Sequence, residues 1–334
     1  MKASVVVPTF NRRKTLERTL RGLFDQSVDP DVFEIVVVDD HSEDDTLRAL
    51  EMLRASHRNL RYLRHDENRG RVITRNDGIV ASHGDVVIFL DDDNVPCQSF
   101  VEVHLECHRR AHLERVAIVG NASFASECIA RSNFGRYVNA QYLGNRIPSR
   151  RRKVDYSNLP AKYFGTLNAS VRRDDAVRVG MFDRAFRYYG GEDFYFGHRL
   201  RQAGVRIAFC EEARSTHYDD VTLRRYKLKS LEAAREGLST IAHKDAAAMN
   251  ETELRHLMPV AWRAESLSSI LKKCVVQGAL NRPALSALEW WARATDRWPI
   301  LAWNGCYRAL FAGWYLRGFR SKVVGRGEVT YGDT

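Results

Sequence analysis

The stretch 88-IFLDDDNVP-96, Ile88 to Pro96, runs an apolar segment into three consecutive carboxylates, Asp91, Asp92 and Asp93. Three adjacent anions repel one another, so a cation among them is the simplest reason for keeping them together. With the residues before it, 85-DVVIFLDDD-93 reads as a buried strand that ends in this cluster. In open α/β sheets ligands bind outside the carboxyl ends of the strands. The position of the cluster, not only its charge, therefore points to a binding site.

Working outward, the first hundred residues alternate strand and helix patterns. The segment 3-ASVVVPTF-10 reads as a strand ending in a Pro-Thr turn, and 33-FEIVVVDD-40 as a second, rich in β-branched residues. Between them, 11-NRRKTLERTLRGLFDQS-27 places Leu16, Leu20, Leu23 and Phe24 on one helical face. The segment 42-SEDDTLRALEMLRAS-56 opens with Ser and acids, as a helix N-terminus should. A short strand, 60-LRYLRH-65, and a helix, 71-RVITRNDGIVAS-82, follow. Strands separated by helices predict a parallel sheet covered on both faces. A second acidic pair, Asp39-Asp40, stands at another strand end. Beyond residue 115 the pattern is mixed: strands over 115-RVAIVGNASF-124, 162-KYFGTLNASVRR-173 and 206-RIAFC-210, and a helix from about Asp193 to Ala203.

After His217 the chain changes character and reads mostly as helices. The whole chain carries a net charge of +10, and residues 221–334 hold 18 Lys+Arg against 10 Asp+Glu. All six tryptophans, at 262, 290, 291, 298, 303 and 314, lie in that part. Such asymmetry suggests an anionic partner. The segment 298-WPILAWNGCYRALFAGWYLRGFRSK-322 is broken by Pro299 and Arg308 and makes a poor membrane-spanning helix. Three readings stand open for it: packing on the rest of the chain, a homodimer contact, and peripheral membrane contact. Nucleic acid is discounted because no recognised binding module accompanies the charge. Six irregularly spaced cysteines, none in a CxxC pair, and no apolar run suited to a signal peptide predict a reduced, cytoplasmic protein, with contact at the membrane periphery left open.

The chemistry is carried by two places. Carboxylates at a strand end suit Mg²⁺ or Mn²⁺, hard cations that share their coordination with phosphates. In 188-YYGGEDFYFGHRLRQAG-204, two glycines allow a sharp turn and close approach to a ligand, and Glu192 and Asp193 open a helix. A carboxylate there could take a proton from a hydroxyl, although acidic residues in a first helical turn are also ordinary.

In order along the chain stand VVVPTFNR, VVVDDHSEDDT, ENRGRVITRNDGI, FLDDDN and GGEDFYFGHRL. This series resembles the family-2 glycosyltransferases, with the Rossmann-like A-type nucleotide-sugar fold, over roughly residues 1–220. The resemblance implies a catalytic domain over 1–218, with a nucleotide-binding half (1–100) and an acceptor half (101–218), followed by a helical, basic and aromatic region over 219–334. It implies that Pro8, Thr9, Phe10, Asn11 and Asp40 hold the base of the nucleotide, and that Arg71 and Arg75 face the base or the diphosphate. Asp93 would bind the metal and Asp91 or Asp92 the ribose or sugar, with Asp91 a second candidate metal ligand. Asp193 would be the catalytic base, Glu192 would bind acceptor or donor sugar, Asn168 would line the sugar pocket, and His217 would be a further metal ligand. The implied activity is metal-dependent, inverting transfer from a nucleoside-diphosphate sugar, UDP-sugar first among them. The acceptor would be a hydroxyl of a saccharide, a lipid-linked saccharide or a small molecule. The competing readings are a sugar nucleotidyltransferase, disfavoured by the glycine-free loop PTFNRRKT, and an inactive sugar-nucleotide-binding or scaffold protein, disfavoured by the presence of every acidic motif.

Overall fold

The computed structural model describes residues 1–111, 114–130, 132–142, 145, 155–258, 260 and 265–324. Trp262 lies outside the described residues. The chain forms two units. The first comprises Met1–Ala125, Tyr142–Arg184 and Asp193–Asp219; the second comprises Ser126–Gln141, Ala185–Glu192 and Asp220–Thr334.

The first unit is built on one eight-stranded mixed sheet in the order β3-β2-β1-β4-β7-β6-β8-β5. The strands are β1 (Ala3–Thr9), β2 (Phe33–Asp39), β3 (Leu60–Arg64), β4 (Val86–Leu90), β5 (Asn94–Pro96), β6 (Val116–Phe124), β7 (Asn168–Arg172) and β8 (Arg206–His217). The four strands β1 to β4 pair in parallel, β1 with both β2 and β4 and β2 with β3. This is the arrangement the alternation of patterns predicts. Antiparallel pairing begins where β7 joins β4. Val5, Val7, Ile35, Val37, Ile88 and Leu90 form one core with Leu16, Leu20 and Leu23 of α1 (Arg13–Phe24). Burying each such side chain stabilises by about 1.5–3 kcal/mol. After α2 (Thr46–Ser56) comes α3 (Arg71–Ala81), on which a Cβ at Gly78 would meet Val6 at 2.3 Å, so the helix can lie this close to β1 only with glycine there.

Two strand expectations change. The segment 162–173 is extended only over β7; it begins with a 3₁₀ turn, Ala161–Tyr163. The strand predicted over 206–210 continues to His217, parallel to β6, with an irregularity between Gly120 and Asn121 that carries it past residues 211–213. The pattern hides this continuation because Glu211, Glu212 and Arg214 place charges within the strand.

In the second unit, Leu223–Glu232 continues through one π-helical stretch, Ala233–Leu238, into Ser239–Lys244. The Gly190-Gly191 turn packs onto that stretch. Both glycines have positive φ, and a Cβ on Gly190 would meet Ala233 at 2.5 Å. The close approach expected of these glycines is thus to the protein's own helix. Farther on, helices Leu267–Ala279, Arg282–Thr295 and Asn304–Val324 follow one another. The last two form a hairpin in which Trp314 Nε1 donates to Glu289 Oε1 at 2.9 Å. No helix among the described residues is long and apolar enough to cross a membrane.

Candidate functional site

The sheet brings residues far apart in sequence to one place. β5 is antiparallel to β8, with Asn94 opposite His217, and Tyr218 N donates to Asp93 O at 2.7 Å. Asp93, immediately before β5, therefore faces the end of β8. His217 Nε2 lies 3.2 Å from Asp93 Oδ1. Asp219 joins them: one ligand atom from each of Asp93, His217 and Asp219 falls within 4.8 Å of the others, and all three residues are buried.

The trio's chemistry fits a divalent cation. Asp93 Oδ1 is buried without a hydrogen bond of good geometry. Such an acceptor is costly to bury unless a cation or donor completes it. The imidazole is oriented from behind: Tyr142 Oη lies 3.0 Å from His217 Nδ1, and Phe124 stacks on the ring with centroids 4.7 Å apart. In the tautomer whose Nδ1–H donates to Tyr142 Oη, Nε2 keeps its lone pair on the side of the carboxylates and is available to a metal.

Arg12 is the resident cation beside the trio. Its Nη1 bonds Asp93 and lies 3.4 Å from Asp92 Oδ1. Burial opposes the charge on Arg12, but Asp92 and then Asp93 outweigh it and hold the guanidinium protonated. Burial likewise works against the charge of Asp93, yet the adjacent His217 imidazole, followed by Arg12, keeps its carboxyl below the usual range. Asp92 goes the other way: burial pushes its carboxyl up, only partly offset by Arg12.

The three aspartates therefore divide. Asp92 turns inward, accepting from Thr9 Oγ1 at 2.7 Å, while its carbonyl accepts from Thr19 Oγ1 at 3.0 Å. It ties the end of β1 to the end of β4. Asp91 is partly open and pairs with Arg75, whose Nη2 lies 3.2 Å from Asp91 Oδ1. The Arg75 guanidinium, itself buried, also reaches Asp193, with Nη1 3.7 Å from Oδ1. Arg75 thus joins the carboxylate cluster of β4 to the head of the helix Glu192–Gln202. Asp193 is oriented by Thr166, whose N and Oγ1 donate to its carboxylate at 3.0–3.1 Å, and 29% of its side chain remains exposed.

Other predicted residues are placed differently. Asp40 is buried and accepts from Arg69 N and Gly70 N at 2.8 Å each, with His65 Nδ1 at 2.7 Å. It holds the turn that starts α3, where Gly70 has φ 83° and Arg71 takes the first helical position. Asn11, at φ 52°, bridges two loops: its N donates to Ser42 Oγ and its Oδ1 accepts from Glu43 N, each at 2.8 Å. Pro8 lies in β1, and Phe10 just beyond the strand is exposed. Asn168 is not brought to the cluster. It is 2% exposed, and its amide donates to Ala213 O and Ser215 Oγ while accepting from His104 Nε2. Glu192 is buried and falls in the second unit, one residue before Asp193 in the first.

Sequence reasoning missed Arg12, Tyr142, Thr166 and Asp219. Asp219 had a signal: residues two apart in an extended chain share a side, so an acid at 219 follows a ligand at 217. Arg12 stands within the PTFNRR turn but is one of two arginines there. Tyr142 and Thr166 carry no local signal.

Residues 4–153 match the sequence profile described as "Glycosyl transferase family 2". Among curated proteins, the chain is 27% identical over 257 residues to the uncharacterized glycosyltransferase YfnE of Bacillus subtilis (strain 168), covering 66% of this chain and 65% of that one. It is 30% identical over 233 residues to validoxylamine A glucosyltransferase of Streptomyces hygroscopicus subsp. limoneus, covering 63% and 50%. The chain thus spans between half and just under two thirds of these relatives. In fold it is similar to the mannosyltransferase PcManGT from Pyrobaculum calidifontis, solved in complex with GDP-Man and Mn²⁺. The TM-score is 0.62 at 15% identity, covering 98% of this chain and 88% of that one.

Proposed function

We propose, from the match of residues 4–153 to glycosyl transferase family 2, that this chain is a metal-dependent, inverting glycosyltransferase of that family. The donor is a nucleoside-diphosphate sugar, with UDP-sugars the first to test, and the acceptor a hydroxyl of a saccharide, lipid-linked saccharide or small molecule. The observation that carries this reading is Arg75, which links Asp91 of the carboxylate cluster to Asp193. A leaving-group site and a proton acceptor then stand on either side of one guanidinium.

Each role follows from the environment of its residue. Asp93, His217 and Asp219 hold the divalent cation; one imidazole with two carboxylates favours Mn²⁺ over Mg²⁺, which keeps to oxygen ligands. Such an ion supplies Lewis-acid stabilisation of a departing phosphate. Arg12 and Arg75 add fixed positive charge for the diphosphate, with Arg71 at the start of α3 beside them in sequence. Asp91 takes the ribose or sugar hydroxyls, since Asp92 is turned inward. Exposed Phe10 offers a face to the base, with Pro8, Thr9 and Asn11 shaping its turn and Asp40 holding the facing loop. Asp193 accepts the proton of the attacking hydroxyl: Thr166 fixes its orientation while part of its surface stays open. A single base and a single displacement invert the anomeric carbon. Catalysis is assigned to residues 1–219, one residue past the expected limit because Asp219 belongs with His217, and residues 220–334 form the helical appendage.

The test is a panel of UDP-, GDP- and dTDP-sugars scored for donor hydrolysis with Mn²⁺, with Mg²⁺ and with excess chelator. Hydrolysis of one donor class that chelation abolishes and Mn²⁺ restores supports the reading. Full activity in chelator removes the metal from it.

A further inference from the structure

The second unit carries a group of large apolar side chains turned to solvent. Trp290 is 70% exposed, Trp298 63%, Ile300 91% and Trp303 54%, with Leu301 and Trp291 also exposed. They lie at one end of the hairpin formed by helices Arg282–Thr295 and Asn304–Val324, on the last turns of the first helix and the linker to the second. Single exposed apolar residues are ordinary, but a run of four tryptophans, an isoleucine and a leucine within 14 residues is not.

The linker is held firmly. Its backbone turns through Trp298 N to Thr295 O and Leu301 N to Trp298 O, both at 2.9 Å. Asn133 Nδ2 donates to the carbonyls of Thr295 and Trp298, and Asn133 N donates to Asp296 O. The polar groups of the turn are thus satisfied from inside the unit while its apolar side chains point out.

The charges are sorted in the same way. Between Trp290 and Arg308 the only acid is Asp296. Its Oδ1 accepts from Ser132 Oγ at 3.1 Å and Phe134 N at 2.9 Å, at the start of helix Asn133–Asn139. Arg293, Arg297 and Arg308 are exposed. Residues 290–308 therefore show indole, aliphatic and guanidinium groups, with Asp296 turned inward; the mostly buried Glu289 lies 3.9 Å from Arg293 Nη2, and Arg297 and Arg308 add further exposed cations. Tryptophan favours the depth of lipid headgroups, and arginine is attracted to anionic ones. A protein partner of matching chemistry would need acids facing the arginines and apolar groups facing the indoles in one fixed pattern. A fluid anionic bilayer supplies both without one.

We propose that the hairpin end formed by Trp290, Trp298, Ile300, Leu301 and Trp303, with Arg293, Arg297 and Arg308, docks the protein on an anionic lipid surface. It lies flat in the headgroup layer rather than spanning it. Anchoring of this kind is independent of sugar transfer.

The test is flotation of the full chain with vesicles of phosphatidylglycerol and phosphatidylcholine, and with phosphatidylcholine alone. The wild type floats with the anionic vesicles and weakly with the neutral ones. The variant Trp298→Ser/Ile300→Ser/Trp303→Ser floats with neither, and keeps wild-type circular dichroism and donor hydrolysis. The variant Arg293→Ser/Arg297→Ser loses roughly thirtyfold in affinity for anionic vesicles, about fivefold per charge near the surface, with neutral vesicles unaffected. A wild type that stays down with anionic vesicles overturns the proposal, as does a triple variant that floats like the wild type. Light scattering that shows a wild-type dimer and a monomeric triple variant would give the surface to a second copy of the chain and also overturn it. Because donor hydrolysis is read separately, failure of the enzymatic reading leaves these outcomes intact.

Discussion

Replacing Asp193 by Asn separates proton transfer from everything else this residue does. Thr166 N and Oγ1 both donate to the carboxylate. An Asn side chain keeps one oxygen to accept from Thr166 N, and its NH₂ can donate to Thr166 Oγ1, which accepts as readily as it donates. What is lost locally is the 3.7 Å charge contact with Arg75, across a side chain that is partly exposed. Arg75 is buried but keeps Asp91 3.2 Å away, so no buried charge is left alone and the loss stays at about 1 kcal/mol, a fall of about 2–4 °C in melting temperature. The rate effect is far larger, since removing a general base costs about 10²–10⁴ in turnover, or roughly 3–5 kcal/mol of barrier. Donor affinity should stay within a few-fold of wild type, because the contacts proposed for the diphosphate are the cation site and the arginines. Calorimetric titration of the donor, product release and a thermal melt on one preparation give all three quantities. Turnover within tenfold of wild type would refute the assignment of the base. Donor binding lost together with turnover would show that Asp193 holds the donor or the local fold.

Asp219→Asn should weaken Mn²⁺ binding, read from the free-ion paramagnetic resonance signal, and turnover should recover in part at high Mn²⁺; unchanged Mn²⁺ affinity would remove Asp219 from the site. Tyr142→Phe frees the His217 ring and should cost about tenfold in Mn²⁺ affinity with little change in stability; an unaltered titration would count against the orienting role. Burial depresses His104 to about 4 and His108 to about 3. For groups whose folded pKa lies below the unfolded value of about 6.5, the neutral form is favoured by folding. Their contribution is complete above that pH and is lost as pH falls through the window, at up to about 1.4 kcal/mol per pH unit for each. Urea melts at pH 7 and pH 5 should show a smaller loss for His104→Asn/His108→Asn than for wild type; equal losses would mean the two histidines already bind protons in the folded state.

Much of the first unit could be read locally. The parallel order of β1, β2, β3 and β4 follows from β-branched runs alternating with amphipathic helices, because period and length are properties of a short window. The acidic strand ends announced themselves in the same way, and the motifs in series pointed to the family that the sequence profile matches. The pattern predicts only the first part of the strand Arg206–His217, because its middle carries charges that the sheet tolerates at an irregularity.

What no window contains is which side chains meet. That Asp92 faces inward while Asp91 and Asp93 face the site depends on Thr9 and Thr19, more than 70 residues away in the chain. Asp93 meets His217 and Asp219 only because β5 pairs with β8. Asn168 is enclosed by His104 and Ala213, partners 64 and 45 residues away in the chain. Hydrophobic periodicity is written along the chain by local geometry. A hydrogen bond or a ligand cluster between distant residues is set only when the sheet closes, so local periodicity does not record which of its members meet.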